Sequence, residues 1–209
     1  MNVVLYGATG MIGSRVLEEL VSHGHRVTAI VRNPAKVPSK PAVQAVEGHA
    51  LDAADIAAKV KDADVVVSAY APPQGEENKL VDSVRALVAG VKAGNAKRLL
   101  IVGGAGSLLV APGVDIIDSG HLPEAYKAIA IAHRDALVFL KTTDVNWTYF
   151  SPAVVIQPGE RTGKFRLGGD SVIADEKGNS SISAEDYAIA LVDELEKPQH
   201  IRQRFTVGY

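Results

Sequence analysis

The 209-residue chain contains no cysteine. That excludes disulfides, thiolate metal sites and a cysteine nucleophile, and it fits a reducing compartment. An excess of either charge is missing too: 22 Lys and Arg stand against 24 Asp and Glu. The resulting net charge of -2 gives no general attraction to nucleic acid or anionic lipid. No apolar run approaches the ~18 residues that a membrane span needs. The chain does not open on a charged segment followed by an apolar run. Strand-like residues begin at Asn2 or Val3, which leaves little room for a targeting segment. A cytoplasmic location is the expectation. Internal repeats and low-complexity linkers are absent. The histidines show no metal-ligand spacing, so no metal is expected. With an ordinary balance of 47% apolar and 22% charged residues, the chain reads as one globular domain spanning 1–209.

What the sequence does contain starts at its beginning. The run Val3-Val4-Leu5-Tyr6 enters Gly7-Ala8-Thr9-Gly10-Met11-Ile12-Gly13, and an apolar helix face with Val16, Leu17 and Leu20 follows. Strand, glycine turn and helix in that order are what cradling a pyrophosphate requires. Glycines let the backbone turn sharply and approach phosphates without a Cβ in the way. The helix then aims its free N–H groups and positive dipole end at the anion. Gly7, Thr9, Gly10, Met11 and Ile12 are the candidate pyrophosphate residues.

Strand and helix patterns alternate after that. Strands are expected at Asn2–Tyr6, Arg26–Val31, Val43–Val46, Val65–Ala69, Arg98–Val102 and Trp147–Phe150, the middle ones as short β-branched runs buried on both faces. Helices are expected at Gly10–His23, Ala53–Val60, Glu76–Ala93 and Pro123–Lys141, with Gly94-Asn95 as a C-cap. Repeated βα units predict an α/β fold with a doubly wound parallel sheet and ligands at its carboxyl edge, where strand order reverses. Past residue 150 the rhythm changes. Residues 161–169 suggest a small hairpin or exposed strands. Ser183 reads as the N-cap of a helix running to about Glu196, and Arg204–Tyr209 as a last strand. The segment 151–209 reads as a lid and support on the main sheet.

Cofactor choice is set at the end of the second strand. An acidic residue there bonds the ribose 2′-OH of NAD. Here the stretch is Val31-Arg32-Asn33-Pro34-Ala35-Lys36, with no carboxylate. Arg32 and Lys36 either hold a 2′-phosphate by charge-assisted bonds or are solvated surface charges. The phosphate reading predicts NADP(H) over NAD(H). Asp52 either faces the adenine edge or caps a helix. Ala69 and Tyr70 follow the fourth strand, in position to run under the adenine-side ribose. Gly103 opens the small-residue loop Gly103-Gly104-Ala105-Gly106-Ser107 after the fifth strand. In a doubly wound fold this loop lies near the nicotinamide. Ser107 there either donates to a substrate oxygen or caps a turn.

The glycine motif, the Val31-Arg32-Asn33-Pro34 turn, and Asn146-Trp147-Thr148-Tyr149-Phe150-Ser151-Pro152-Ala153 resemble the atypical short-chain dehydrogenase/reductase superfamily. Gly159-Glu160-Arg161-Thr162-Gly163 and Ile182-Ser183-Ala184-Glu185-Asp186-Tyr187-Ala188 narrow the likeness to its NAD(P)H-binding branch, which holds NADH-flavin reductase-like, biliverdin reductase B-like and NmrA-like proteins. The resemblance covers essentially the whole chain and implies a Rossmann fold. Pro152 follows the strand where this family often lays backbone against the nicotinamide. Typical members use Ser with Tyr-x-x-x-Lys, the lysine lowering the tyrosine pKa. Here Tyr126 is followed by Lys127, and position 130 is Ala. A lysine one residue along lies about 100° around the helix and cannot substitute.

The biliverdin reductase B group also lacks the motif and works chiefly by delivering hydride to a bound planar acceptor. His133 lies at a position like a histidine of that group. It is the leading candidate proton donor or substrate contact, set against a helix histidine with a backbone partner. His133, Ser107 and Tyr126 are thus the catalytic candidates. The resemblance implies an NADPH-dependent reductase of a flavin, quinone or similar small-molecule hydride acceptor, monomeric or homodimeric. A non-catalytic NADP(H) sensor and a sugar epimerase or dehydratase are the alternatives.

Overall fold

A strand sends successive side chains to opposite faces. In β1 (Asn2–Tyr6), Val3 and Leu5 accordingly enter one apolar core, and Val4 and Tyr6 another. The computed structural model describes residues 1–209. After β1 come α1 (Met11–Ser22), β2 (Arg26–Val31), β3 (Val43–Glu47), α2 (Ala53–Lys59), β4 (Val65–Ser68), α3 (Lys79–Ala93) and β5 (Leu99–Val102). A hairpin of β6 (Leu109–Ala111) and β7 (Val114–Asp115) leads to α4 (Glu124–Lys141) and β8 (Trp147–Ser151). The chain ends with β9 (Val155–Gln157), β10 (Arg166–Gly168), β11 (Ser181–Ser183), α5 (Ala184–Glu196) and β12 (Gln203–Gly208).

Eight strands form one sheet in the order β10-β12-β8-β5-β4-β1-β2-β3. Every pair is parallel except β10 with β12. Strand order reverses between β1 and β4. Helices α1 and α5 cover one face, through Val16, Leu17 and Leu20 from α1 and Tyr187, Leu191 and Leu195 from α5. Helices α2, α3 and α4 cover the other, through Ile56, Leu87, Val91, Leu137 and Leu140. A fully buried Leu such as Leu20 contributes roughly 1.5–3 kcal/mol relative to an exposed one. The fold is the doubly wound α/β arrangement that the βα rhythm predicts.

Residues 151–209 supply β12 and β10 to this sheet and α5 to its face. On that face four rings, those of His200, Phe205, Phe150 and Tyr187, stack in succession with centroids 4.3, 4.0 and 4.1 Å apart. Ser183 caps α5, accepting from Asp186 N at 3.0 Å.

The structure sharpens three local expectations. The third helix starts at Lys79, because residues 76–80 first make tight turns in which Lys79 N donates to Glu76 O and Leu80 N to Glu77 O. The Gly94-Asn95 C-cap of α3 forms as expected, with Gly94 as the cap and Asn95, at φ of 58°, in the left-handed conformation beyond it. Of the two readings of 161–169, the hairpin does not form, while an exposed strand does at 166–168, paired with β12. Residues 159–163 are instead tied to α5. Gly159 N donates to Glu185 Oε2, while Thr162 N and Gly163 N donate to Asp186 Oδ1.

Candidate functional site

Gly7 leaves β1 with φ of +81°, and a Cβ there would sit 2.3 Å from Ala69 O on β4's exit. The turn therefore presses directly on the neighbouring strand's end. Gly13, in the first turn of α1, is tighter still, since its Cβ would lie 2.0 Å from Gly7 O. These contacts bring the start of α1 up against the turn. Its N-cap, Gly10, has no side chain to occupy the helix N-terminus. The amides of Met11, Ile12 and Gly13 find no acceptor within the chain.

A groove of about 340 Å3 runs over the carboxyl ends of β1, β2, β3 and β4. It gathers six of the residues singled out from sequence: Gly7, Thr9, Gly10, Arg32, Ala69 and Tyr70. Arg32 is exposed on its wall and pairs with no carboxylate. Burial raises the Tyr70 phenol pKa, and the charges of Lys79, Glu76 and Arg32 also act on it. Both Arg32 and Lys79 thus stand near this ring. Lys79 is held to Glu76 at 2.6 Å, which raises the ammonium pKa.

Other predicted residues lie outside the groove. Met11 and Ile12 form the first turn of α1. Lys36 is exposed at the end of a short 3-10 turn, Pro34–Lys36, capped by Asn33. Asp52 caps α2, accepting from Ala54 N at 2.9 Å and Asp55 N at 3.1 Å. Conversely, the groove takes in Tyr6, the segment Gly48-His49-Ala50-Leu51, Glu76 and Lys79, which no motif marks. The one available signal for 48–51 is their place directly after β3, at the same edge as the glycine turn.

A second polar cluster sits beyond β5 and β8. Tyr149 is fully buried, with Gly103 packed on its ring. Its hydroxyl donates to His133 O at 3.0 Å, accepts from Gly104 N at 3.3 Å, and lies 2.9 Å from His133 Nδ1. With the phenol proton on the carbonyl, Nδ1 carries the hydrogen that fills the remaining lone pair. That tautomer leaves Nε2 bare. Packing around the half-buried imidazole pushes its pKa down to about 4, so the ring is neutral at pH 7 and Nε2 accepts rather than donates. Ser107 is engaged as well: its hydroxyl and its carbonyl both accept from Arg204 Nη1 at 2.9 Å, and Arg204 is anchored to Asp170. Ser107 still has a hydroxyl proton to give. Pro152 is buried after β8, and Thr206 Oγ1 reaches its carbonyl at 3.4 Å. Tyr126 lies 61% exposed on the first turn of α4. Ala130 is buried against Gly106.

The family model described as NAD(P)H-binding matches residues 7–198, from the glycine turn to just past α5. The chain belongs to the NAD(P)H-binding family. Three solved structures are similar over the full chain. One from Burkholderia pseudomallei is 51% identical with a TM-score of 0.92, and all of that chain is covered. One from Bacteroides thetaiotaomicron is 40% identical at 0.94, with 96% of it covered. One from Streptococcus pneumoniae is 35% identical at 0.88, with 99% covered. They carry different provisional names: exported protein, epimerase and NADH-flavin reductase, respectively. The fold is of the reductase type, and no helix is long and apolar enough to cross a membrane.

Proposed function

We propose that the protein is an NADPH-dependent reductase that passes hydride to a flavin, quinone or similar conjugated small molecule. The observation that carries this reading is Arg32, exposed on the groove wall with no carboxylate partner. A 2′-phosphate is the anion such a guanidinium binds well, and no acid follows β2 to hold a free ribose 2′-OH. Lys36 adds positive charge beside it. The turn Gly7–Gly10 and the amides of Met11 and Ile12 hold the pyrophosphate, a role their glycine cradle and free N–H groups fit. Ala69 and Tyr70 flank the adenosine half.

When bound, NADPH supplies the hydride. The chain's own part is to place the acceptor: Gly103 and Pro152 border the nicotinamide end, Ser107 donates a hydrogen bond, and His133 Nε2 accepts one. Positioning suffices, because flavins and quinones are already good hydride acceptors. The similarity to the Streptococcus pneumoniae protein named as an NADH-flavin reductase supports this acceptor class.

Ala130, packed where a catalytic lysine would stand, favours one rival, a sensor that binds NADP(H) without turnover. NADPH oxidation measured with free flavin and with quinones separates the two. Turnover is the expected result, and tight NADPH binding with no turnover on any acceptor selects the sensor. Arg32→Glu is expected to weaken NADPH at least ten-fold while sparing NADH. Equal loss of both overturns the 2′-phosphate role.

A further inference from the structure

Tyr6 closes β1, directly before the glycine turn, with its ring in the core beneath α2 and α3. The residue is 2% exposed, yet its hydroxyl oxygen has no hydrogen-bond partner in the chain. Buried phenols are normally partnered, because a desolvated O–H without an acceptor is costly. Asp55 is close enough for its charge to be felt, but its carboxylate is spent on Lys59 and on His49 N. Burial, with Asp55 adding to it, raises the Tyr6 pKa far above neutrality, so the group keeps its proton and remains a donor.

Tyr6 also lines the groove. The same lining includes the apolar side chains of Ile30 and Val31 from β2 and of Ala50 and Leu51 after β3. One hydrogen-bond donor set among apolar groups suits the edge of a heteroaromatic ring. It does not suit a ribose or a phosphate, which need several polar partners at once.

We infer that Tyr6 reads the nucleobase of the dinucleotide, donating its hydroxyl hydrogen bond to a ring nitrogen of adenine. This inference rests on the dinucleotide reading above and adds to it a residue that selects the base. In the unliganded protein the hydroxyl is a small liability, and the bound base removes it. Tyr6 therefore contributes to affinity twice, through a bond gained and a penalty relieved.

Tyr6→Phe tests this, because it removes one oxygen and leaves the ring in place. Titration calorimetry with NADPH and with adenosine 2′,5′-bisphosphate is expected to show both weakened roughly ten-fold. The unliganded variant is expected to melt at the wild-type temperature or above it. Unchanged affinities overturn the role of Tyr6 while leaving the dinucleotide reading intact, since NADPH still binds. A lower melting temperature of the unliganded variant overturns it too, because the hydroxyl then has a partner, such as a bound water, in the free protein. Wild-type protein that binds neither ligand overturns the dinucleotide reading itself, and this inference with it. A crystal structure of the wild type with adenosine 2′,5′-bisphosphate gives the direct readout. Tyr6 Oη within hydrogen-bond distance of a base nitrogen supports the assignment, and contact with ribose or phosphate alone overturns it.

Discussion

Gly13 carries the tightest contact in the cradle. Helix propensity alone favours Gly13→Ala by about 1 kcal/mol. The 2.0 Å approach of the added Cβ to Gly7 O acts against that. Neither partner is a flexible side-chain end, so backbone must move, and overpacking of this kind costs about 1–3 kcal/mol. Gly13→Ala is therefore expected to lower the melting temperature and to weaken NADPH, both measurable in one thermal-shift titration. A stabilised variant with unchanged affinity would show that the turn yields freely. Residues of this kind are legible in sequence, because a glycine turn between strand and helix has few other uses. Arg32 is legible for a similar reason, standing where an acid is expected. Tyr6 and Lys79 are not. In sequence Tyr6 is one more apolar strand residue, and only the fold reveals that its hydroxyl lacks a partner. His133 and Ser107 were identifiable as candidates, but their partners Tyr149 and Arg204 lie 16 and 97 positions away and follow no spacing rule.

The first turn of α5 organises a whole segment. Asp186 is buried and accepts from Thr162 N at 2.8 Å, Gly163 N at 2.9 Å, Thr162 Oγ1 at 2.5 Å and Tyr209 Oη at 2.8 Å. Burial opposes its ionisation, but these bonds outweigh that and hold the carboxyl below its usual range. A depressed folded-state pKa means that the unfolded chain takes up the proton first. The stabilisation is complete above the ordinary carboxylate range of about 4 and is lost as pH falls through the folded value. Asp186→Asn is expected to cost on the order of 2 kcal/mol at pH 7 and to speed amide exchange across 159–164. The difference from wild type should narrow as the solution is acidified below pH 4. A gap independent of pH would remove the carboxylate's charge from the account. Sequence reveals the α5 cap, because Ser183 with Glu185 and Asp186 is a local pattern. It does not reveal the fold of 159–163, whose partners lie more than 20 residues on and whose glycine-rich run looks like a turn between strands.

Across the whole molecule, the cradle depends on the chain's far end. Helix α1, which presents the free amides, packs against α5 over Val16, Leu17 and Leu20. Arg15 on α1 pairs with Glu185 at 2.9 Å, and Arg161 reaches back to Glu19 at 2.6 Å. A chain ending at residue 150 keeps every glycine of the motif and loses β12, α5 and three of the four stacked rings, Tyr187, His200 and Phe205. Such a fragment is expected to bind a hydrophobic dye and to have lost NADPH affinity. A fragment that binds NADPH like the full chain would show α1 to be held by β1 and β2 alone. The βα alternation of residues 1–150 is regular enough to predict the sheet. Nothing local there says that its first helix is only half covered.

The α1–α5 contact also sets an order of events during synthesis. Residues 11–22 leave the ribosome well before residues 184–196, the α5 surface that covers part of them. Until then the apolar side of α1 has the early strands β1 and β2 beneath it but no helix beside it. The growing chain must keep that flank out of other company until α5 arrives, and the glycine cradle becomes fully rigid only then.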